Sequence, residues 1–418
     1  MRTRLRRWLS GGAAVVMSVA MVSTAPVAPA QAASAPLQLS LPAPTGPYPV
    51  GATELHLVDH DRADPWVAGR PRELMTTVWS PARPAGRAPV APYLPPLAAQ
   101  RFGQDAAAHL GIAAEQVDWA GITTHARAGA PARAHHGGYP VVIYSPGGGR
   151  SRAEGTTLVA ELASRGYVVV TVDHTYETPM VEFPGGRLET RRLPDLASAE
   201  LGRALIRTRV QDTRLVLDRL AVLAAGGNPD AGKRRLPRGL GAALDLSRAG
   251  MFGHSAGGFT TAETMLVDRR LDAGADLDGS MAYSFSNNDF GDVVTRGLDR
   301  PFLLMGAGLS SGRPHTHREA ADWRSFWQHS TGWKLDLHIP AGEHFTVTDH
   351  QTLLPQLAAA FTLPEGFVTA AVGSVDPGRI VTSQRVYVSA FFEQHLRQRP
   401  QPVLNGPSPR HPDVAFIR

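Results

Sequence analysis

A serine stands between glycines at the point where an apolar stretch gives way to helix-forming residues. The segment reads Met251-Phe252-Gly253-His254-Ser255-Ala256-Gly257-Gly258. A strand that turns directly into a helix needs small residues on both sides of its tip, because side chains at Gly253 and Gly257 would collide with neighbouring backbone. Such a nucleophile elbow lifts one hydroxyl to the end of a parallel sheet. This segment constrains the fold strongly and makes Ser255 the candidate nucleophile.

Apolar runs typical of buried strands surround the elbow. Residues 139–145 and 167–174 are two such runs, and the helix-compatible stretch 153–165 separates them. A strand, a helix and a second strand in succession form a parallel βαβ unit, which needs helices on its faces. The sequence therefore predicts the α/β-hydrolase fold, with a mostly parallel central sheet and helices on both faces.

The expected acid follows the serine in the chain, as this fold requires. The predicted strand 273–278 ends at Asp278, whereas the next predicted strand, 301–308, has no carboxylate at its end. Asp276 is the local rival, but it lies deeper in the same strand. The sequence therefore favours Asp278 as the acid of the catalytic triad.

The expected base is His344, which stands in the loop after the last predicted strand, 333–340. In this fold the histidine is the last triad member along the chain, and no other histidine has that position. Three nearby histidines are assigned structural positions instead: His254, His338 and His350.

A glycine-rich loop follows the strand 139–145 and reads Pro146-Gly147-Gly148-Gly149-Arg150. Glycine lets a backbone N–H group approach a substrate oxygen closely, as an oxyanion hole requires, although glycine also serves tight turns with positive φ. Because the elbow lies downstream, we predict that the N–H groups of Gly148 and Ala256 form the oxyanion hole.

Other polar residues receive structural interpretations. Asp173 and His174 end a strand but precede the serine, so their order is wrong for this triad and we expect them to shape a loop. His315 and His317, with His329 nearby, lack a third ligand at a supporting spacing. We therefore expect solvated loop histidines and no metal site.

A long amphipathic helix is predicted over 196–225. Two oppositely charged pairs lie three or four residues apart within it, the spacing of ion pairs along a helix: Arg209 with Asp212, and Arg214 with Asp218. No catalytic role is needed to explain them.

Composition excludes several classes of protein. The 418 residues include no cysteine, so disulfides, cysteine metal sites and cysteine nucleophiles are excluded. The net charge is +5, and apart from Lys233 and Lys334 the basic residues are arginines without a striped arrangement, so no nucleic-acid surface is predicted. We expect a small-molecule or lipid ester as substrate, with transient contact at a lipid surface, no cofactor and no obligate protein partner.

The N-terminus has the pattern of an export signal. Four arginines among the first seven residues precede the apolar run 11–22, and small residues at Ala30-Gln31-Ala32 suit cleavage. We predict a signal peptide over 1–32, with cleavage as far as 35 as the alternative, and a secreted protein. The apolar run is short for a membrane span, and Arg6-Arg7 leaves a twin-arginine route open.

The remaining chain is predicted to form one domain. Alanine and proline over 33–47 indicate a flexible leader, and residues 48–418 form a single α/β-hydrolase domain. The proline-rich segment near 82–138 is too long for a plain connection, so we expect an insertion that wraps the sheet edge or caps the active site.

These motifs together resemble the platelet-activating factor acetylhydrolase-like branch of the α/β hydrolases, in particular its secreted bacterial members. The segments that carry the resemblance are Thr45–Gly51, Arg72–Met75, Trp79–Pro81, Tyr144–Gly147, Gly253–Gly258, Leu277-Asp278 and Glu343–Thr346. The resemblance implies calcium-independent hydrolysis of esters with short or oxidised acyl chains, including the sn-2 ester of phospholipids. It also implies an acid at Asp278. Pro146 stands where the animal relatives carry histidine.

The functional expectation is a secreted serine ester hydrolase that uses a Ser-His-Asp triad and an acyl-enzyme. A general lipase, a polyester or cutinase-like hydrolase, and a triad-bearing acyltransferase stay open as alternatives. A catalytically inactive binding protein is a further class, against which the intact Ser255, Asp278 and His344 argue.

Overall fold

The computed structural model describes residues 35–418 except 85, 87, 195–197 and 285–288. The predicted signal peptide, 1–32, lies outside the described residues. Within the described part, every helix is too short or too polar to cross a lipid bilayer.

Strands and helices alternate through the middle of the chain. The strands are β1 (Val50–Ala63), β2 (Pro71–Pro81), β3 (Val90–Pro92), β4 (Thr123–Ala128), β5 (Tyr139–Ser145), β6 (Val168–Asp173), β7 (Met180–Phe183), β8 (Arg187–Thr190), β9 (Leu244–His254), β10 (Ala273–Leu277), β11 (Ala282–Ser284), β12 (Asp289–Phe290), β13 (Phe302–Ala307), β14 (Leu309–Ser310), β15 (Arg313–Pro314), β16 (Lys334–Ile339) and β17 (Ala415–Ile417). The helices are α1 (Pro96–Leu110), α2 (Thr156–Ser164), α3 (Ala199–Ala224), α4 (Ala256–Val267), α5 (Asp292–Arg296), α6 (Ala321–His329), α7 (His350–Ala360), α8 (Phe367–Val372) and α9 (Pro377–Leu396).

One sheet of 11 strands organises the fold, in the order β17-β16-β13-β10-β9-β5-β6-β2-β1-β4-β3. The six central strands from β16 to β6 are parallel to one another. Strand β2 pairs antiparallel with β6, and β17 pairs antiparallel with β16. The carboxyl ends of parallel strands meet at one edge, which is where ligands bind in sheets of this kind.

The core lies on both faces of the sheet because the central strands are buried on both sides. In β5, Val141 and Ile143 pack into a cluster with apolar residues of α3 and α4. The alternate residues Val142 and Tyr144 pack into a second cluster, with α2 and α9. This two-sided burial explains the unbroken apolar runs in the sequence. The predicted α/β-hydrolase fold is confirmed.

The segment 82–138 extends the edge of the sheet. Strand β4 pairs parallel with β1, and β3 pairs antiparallel with β4. Helix α1 buries one face, including Ala99 and Leu110, in a third apolar cluster. Strands β3 and β4 of this segment thus lie at the edge of the large sheet.

The N-terminal segment expected to be a flexible leader is packed against the domain from residue 36 onwards. The Leu37 N–H group donates a hydrogen bond to Gln116 O at 2.8 Å. Leu39 and Leu41 are buried in the third apolar cluster, beside Leu353. The high alanine and proline content suggested a loose segment, whereas alternating leucines bury this stretch in the structure.

Candidate active site

Ser255 occupies a strained turn between β9 and α4. Its backbone has φ 55° and ψ −125°, a region that non-glycine residues rarely adopt. A Cβ atom at Gly253 would lie 2.2 Å from Gly257 C, and one at Gly257 would lie 1.9 Å from Ser145 O. The Ser255 N–H group donates to Leu277 O at 3.0 Å. The turn therefore requires glycine on both sides of the serine, and it is anchored to the end of β10.

Asp278 and His344 meet at the same edge of the sheet. His344 Nδ1 lies 2.6 Å from Asp278 Oδ2, in the loop positions that follow β10 and β16. With Nδ1–H donating to the carboxylate, His344 Nε2 is left as a proton acceptor. The Asp278 carboxylate is buried, while 44% of the His344 side chain is exposed. The carboxylate therefore lies inside the protein and the imidazole at its surface.

The charge on Asp278 is strongly favoured. Burial by itself raises the pKa of a carboxyl, but hydrogen bonds from His315 and His344 outweigh it and hold the pKa of Asp278 well below its usual range. Asp278 is thus held as an anion.

Ser255 lies beside this pair without a hydrogen bond to it. Its neighbour His254 donates from Nε2 to the His344 backbone oxygen at 2.9 Å, and the two imidazole rings are 4.6 Å apart. Among the described residues the Ser255 hydroxyl has no hydrogen-bond partner. A serine–histidine bond is often long in an unliganded site and shortens when substrate binds. The structure thus brings Asp278 and His344 into contact and Ser255 into their neighbourhood.

Asp276 and His254 are distinct from this pair. Asp276 is buried and accepts the Gly279 N–H group at 2.8 Å, with no contact to His344. Burial raises the pKa of Asp276 well above its ordinary value. Burial is the main cause that lowers the pKa of His254 to about 3, so His254 is neutral.

The glycine-rich loop after β5 approaches the start of α4. A Cβ atom at Gly148 would lie 3.7 Å from the Cβ of Ala256, and Gly148 is exposed. The Gly149 N–H group is already bonded to Glu177 Oε1 at 3.1 Å. Of these two glycines, Gly148 is therefore the one with an N–H group available beside Ala256.

A buried ion pair holds this loop. Arg209, on α3, donates to Pro146 O at 2.6 Å and to Gly147 O at 2.8 Å. Its Nε donates to Glu177 Oε2 at 2.8 Å, and Glu177 also accepts the Gly149 N–H group. We call Arg209 and Glu177 the loop clamp. It binds the carbonyl oxygens of Pro146 and Gly147 and the Gly149 N–H group, which orients the peptide units between them.

The predicted helix ion pairs are wrong. Arg209 bonds the loop, and Asp212 pairs with Arg72 at 2.6 Å instead. Arg214 pairs with Asp268, and Asp218 pairs with Arg270. Spacing along a helix indicates only which side chains could meet, and here partners from other elements are better placed.

Asp173 and His174 have structural roles beneath the site. His174 bonds Ser145 Oγ at 3.0 Å and Asp212 Oδ2 at 2.9 Å. These contacts repeat the Ser-His-Asp order, but all three side chains are buried and closed to substrate. Asp173 accepts the Arg152 N–H group at 2.6 Å. The ends of β5 and β6 are held by these bonds, in keeping with the predicted loop-shaping role.

His315 and His317, expected to be solvated, are buried. His315 Nδ1 lies 2.7 Å from Asp278 Oδ1, and His317 Nδ1 lies 2.7 Å from Asp336 Oδ2. Each ring stacks on a tryptophan at 4.0 Å, His315 on Trp323 and His317 on Trp327. Across the described ranges, no three His, Asp or Glu side chains are arranged to hold a metal ion.

A cavity of about 610 Å³ lies beside β1 and β2, away from the elbow. Trp79 and Tyr93 form part of its wall, and Arg152 lies in its lining. None of the predicted site residues line it. Ser255 and His344 instead occupy an open part of the sheet edge.

Comparison with known proteins finds relatives that span nearly the whole chain. A family model described as platelet-activating factor acetylhydrolase, isoform II, matches residues 102–289. A probable 1-alkyl-2-acetylglycerophosphocholine esterase from Arthroderma benhamiae is 29% identical over 411 residues, which are 94% of this chain and 97% of that protein. The solved structure of a ferulic acid esterase from Streptomyces cinnamoneus has 38% identity and a TM-score of 0.72, covering 91% of this chain and 100% of that chain.

The fold and these relatives define the class of the protein, a carboxylic-ester hydrolase built on the α/β-hydrolase fold. The matched family segment includes both the elbow and Asp278. The resemblance to the platelet-activating factor acetylhydrolase-like branch that its motifs predict is confirmed by the family model and by the Arthroderma relative.

Proposed function

We propose that the protein is a serine ester hydrolase in which Ser255 is the nucleophile, His344 the base and Asp278 the acid. The observation that carries this proposal is the 2.6 Å contact between His344 Nδ1 and Asp278 Oδ2 beside the strained serine turn. A strained nucleophile with a neighbouring, carboxylate-oriented histidine is the arrangement by which hydroxyl groups are activated.

In the first step His344 Nε2 takes the Ser255 proton while Oγ bonds to the ester carbonyl carbon. The N–H groups of Gly148 and Ala256 donate hydrogen bonds to the developing oxyanion, each contributing about 3 kcal/mol. The bond to the leaving alcohol then breaks, and His344 returns its proton to that oxygen. Water, deprotonated by His344, attacks the acyl-enzyme and releases the carboxylic acid and free Ser255.

We propose short-acyl esters as the substrates, including the sn-2 acetyl or oxidised acyl ester of glycerophospholipids. The match to the family model supports this choice, as does the relative named as a 1-alkyl-2-acetylglycerophosphocholine esterase. The partly exposed side chain of His344 is compatible with an ester presented at a lipid surface.

A second candidate substrate class is the hydroxycinnamate esters. It is supported by the ferulic acid esterase, which is 38% identical to this chain and matched over its full length. The same triad and oxyanion donors would serve both classes, so the two candidates differ only in what binds around the acyl group.

The test combines active-site labelling with a substrate profile. We expect a fluorophosphonate to label the wild-type protein at Ser255 and to leave Ser255→Ala unlabelled. We expect 1-alkyl-2-acetylglycerophosphocholine to be hydrolysed with kcat/KM about tenfold or more above its 2-palmitoyl counterpart, because an extended acyl chain needs a longer pocket. Methyl ferulate serves as the third substrate.

Each outcome separates the proposals. Absence of labelling in the folded wild-type protein would contradict the serine mechanism. Labelling together with a clear preference for methyl ferulate would support the second substrate class, and a preference for long acyl chains would contradict both.

We also propose that the protein is secreted after removal of residues 1–32, or of residues up to 35. The proposal is supported by the charged, apolar and small-residue order of the N-terminal sequence. Mass measurement of the exported protein should give a chain that starts at Ala33 or at Pro36, and an intact N-terminus in the medium would contradict cleavage.

A further inference from the structure

The Asp278 carboxylate has a histidine on each of its oxygens. His344 Nδ1 is 2.6 Å from Oδ2, and His315 Nδ1 is 2.7 Å from Oδ1. Oδ1 also accepts the Ala307 N–H group at 2.8 Å. A carboxylate that only had to orient His344 would need no second imidazole, so the His315 contact requires its own explanation.

His315 is held rigidly, and its polar contact is directed at Asp278. It is 3% exposed, and its ring stacks on Trp323 with planes 26° apart. Its backbone packs so closely on β13 that a Cβ atom at Gly306 would lie 1.9 Å from His315 O. Among the described residues Nε2 has no hydrogen-bond partner. Within the described residues, the contact from Nδ1 to Asp278 is thus the one hydrogen bond that the His315 ring makes.

The surroundings of His315 are strongly negative. The titratable groups that face it from β10, α6, β16 and the adjoining loops are Asp278, Asp322, Asp336, His317 and His344. Burial lowers the pKa of His315, but the hydrogen bond to Asp278 and the charges of the three aspartates outweigh it and raise the pKa above its ordinary value. A cationic imidazole stacked on an indole ring is also favourable.

We propose that His315 is a positioning residue of the triad, which orients the Asp278 carboxylate and neutralises part of the negative charge that Asp278 presents to His344. The inference rests on the proposed function of Asp278 and His344. In this arrangement His344 and His315 share the Asp278 carboxylate. His344 transfers protons, and His315 sets the orientation and the effective charge of the carboxylate.

The sign of the effect follows from electrostatics. A protonated His315 compensates Asp278, so the imidazolium form of His344 gains less stabilisation from that carboxylate. Without the His315 charge, the imidazolium form would gain more. The acidic limb of the kcat/KM profile reports that ionisation in the free enzyme, so it would move to higher pH.

The test uses His315→Asn, whose side-chain amide can replace the Nδ1–H donor but carries no charge. We expect the acidic limb of kcat/KM for p-nitrophenyl acetate to move up by about 0.5 pH unit or more, with the plateau kcat within about threefold of wild type. His315→Ala, which lacks the donor, should lower kcat by about tenfold or more with little change in KM, the loss of one charge-assisted hydrogen bond.

The matched control is His317→Asn. Like His315, His317 contacts an aspartate, Asp336, and stacks on a tryptophan, Trp327. Asp336, however, makes no contact with His344. The acidic limb of the kcat/KM profile of this variant should stay at the wild-type pH even if the thermal stability of the variant falls. Superposed profiles for wild type and His315→Asn would overturn the proposal, because a merely structural histidine would change stability alone.

A further measurement needs no substitution at His315. In ¹⁵N-labelled wild-type protein, His315 should carry protons on both ring nitrogens at pH 6, and a neutral ring there would overturn the charge assignment. If the fluorophosphonate fails to label Ser255 in wild type, the proposed function itself fails, a result distinct from labelling with unshifted pH profiles.

Discussion

At the acid position, two carboxylates of adjoining sequence have opposite surroundings. Asp278 receives hydrogen bonds from two imidazoles and a backbone N–H group, which favour its charged form. Asp276 is enclosed beside Gly258 and Gly279, where burial favours its neutral form. Although only two positions separate the two carboxylates, Asp278 alone of the pair is placed and charged to stabilise a protonated His344.

Asparagine substitutions should separate the two aspartates. Asp278→Asn should lower kcat by about 10⁴-fold, because the neutral amide no longer holds the His344 tautomer or stabilises its cation. Asp276→Asn should leave kcat within about threefold of wild type, since an amide resembles a protonated carboxyl. Both are measured with p-nitrophenyl acetate, and equal losses in the two variants would contradict the assignment.

Position in the chain led to the prediction of Ser255, Asp278 and His344, because the fold dictates their order along the sequence. The structure brings Asp278 and His344 into contact, and the catalytic roles stay a prediction. His315 was missed because its partner Asp278 lies 37 residues earlier, and only the packing of the β14–β15 hairpin against β13 brings them together. A loop histidine carries no periodic signal of burial, so the sequence favoured solvent for it.

At the scale of elements, the loop after β5 depends on α3. The loop clamp, Arg209 with Glu177, binds both loop carbonyls and the Gly149 N–H group from within the core. The orientation of the Gly148 peptide is therefore a property of a helix that lies outside the catalytic turn.

Substitutions in the loop clamp should separate stability from catalysis. Arg209→Met should lower the free energy of unfolding by about 3–5 kcal/mol, because it leaves Glu177 buried and unpaired. The double variant Arg209→Met with Glu177→Leu should recover much of that stability, since no buried charge is left. Its kcat should nonetheless stay about tenfold or more below wild type, because the oxyanion donor is no longer oriented.

Urea unfolding and p-nitrophenyl acetate turnover measure the two effects separately. A double variant that regained both stability and wild-type kcat would show that the loop is oriented by other contacts.

Strands β5 and β6 could be predicted because both are largely apolar runs, and β5 coincides with its predicted range, 139–145. The edge strands could not. Strand β3 has three residues and ends in proline, and β4 has polar side chains at alternate positions, so neither has the pattern of a buried strand. The helix ion pairs failed for a related reason, since their true partners come from distant parts of the chain.

For the molecule as a whole, the packed N-terminal segment is the largest departure from the sequence prediction. Leu39 and Leu41 contribute to the same apolar cluster as residues of α1 and α7. The segment thus joins two regions that are far apart in sequence, and removal of the predicted signal peptide would leave it intact.

Leu41→Ala should lower the free energy of unfolding by about 2–4 kcal/mol, the cost of a cavity at a buried leucine. Gln38→Ala, at an exposed position in the same segment, should change it by about 0.5 kcal/mol or less. Urea unfolding of both variants provides the measurement. Equal, negligible effects would show that the segment is detached in solution.

The two outer strands of the large sheet, β3 and β17, have three residues each, and β3 ends at Pro92. The unpaired backbone N–H and C=O groups of a long, flat outer strand can pair with a strand of another molecule. A short outer strand, or one that contains proline, has few such groups. Because its outer strands are this short, the large sheet gives a second molecule little edge to pair with. We therefore expect the protein to resist fibre formation at high concentration or on an interface.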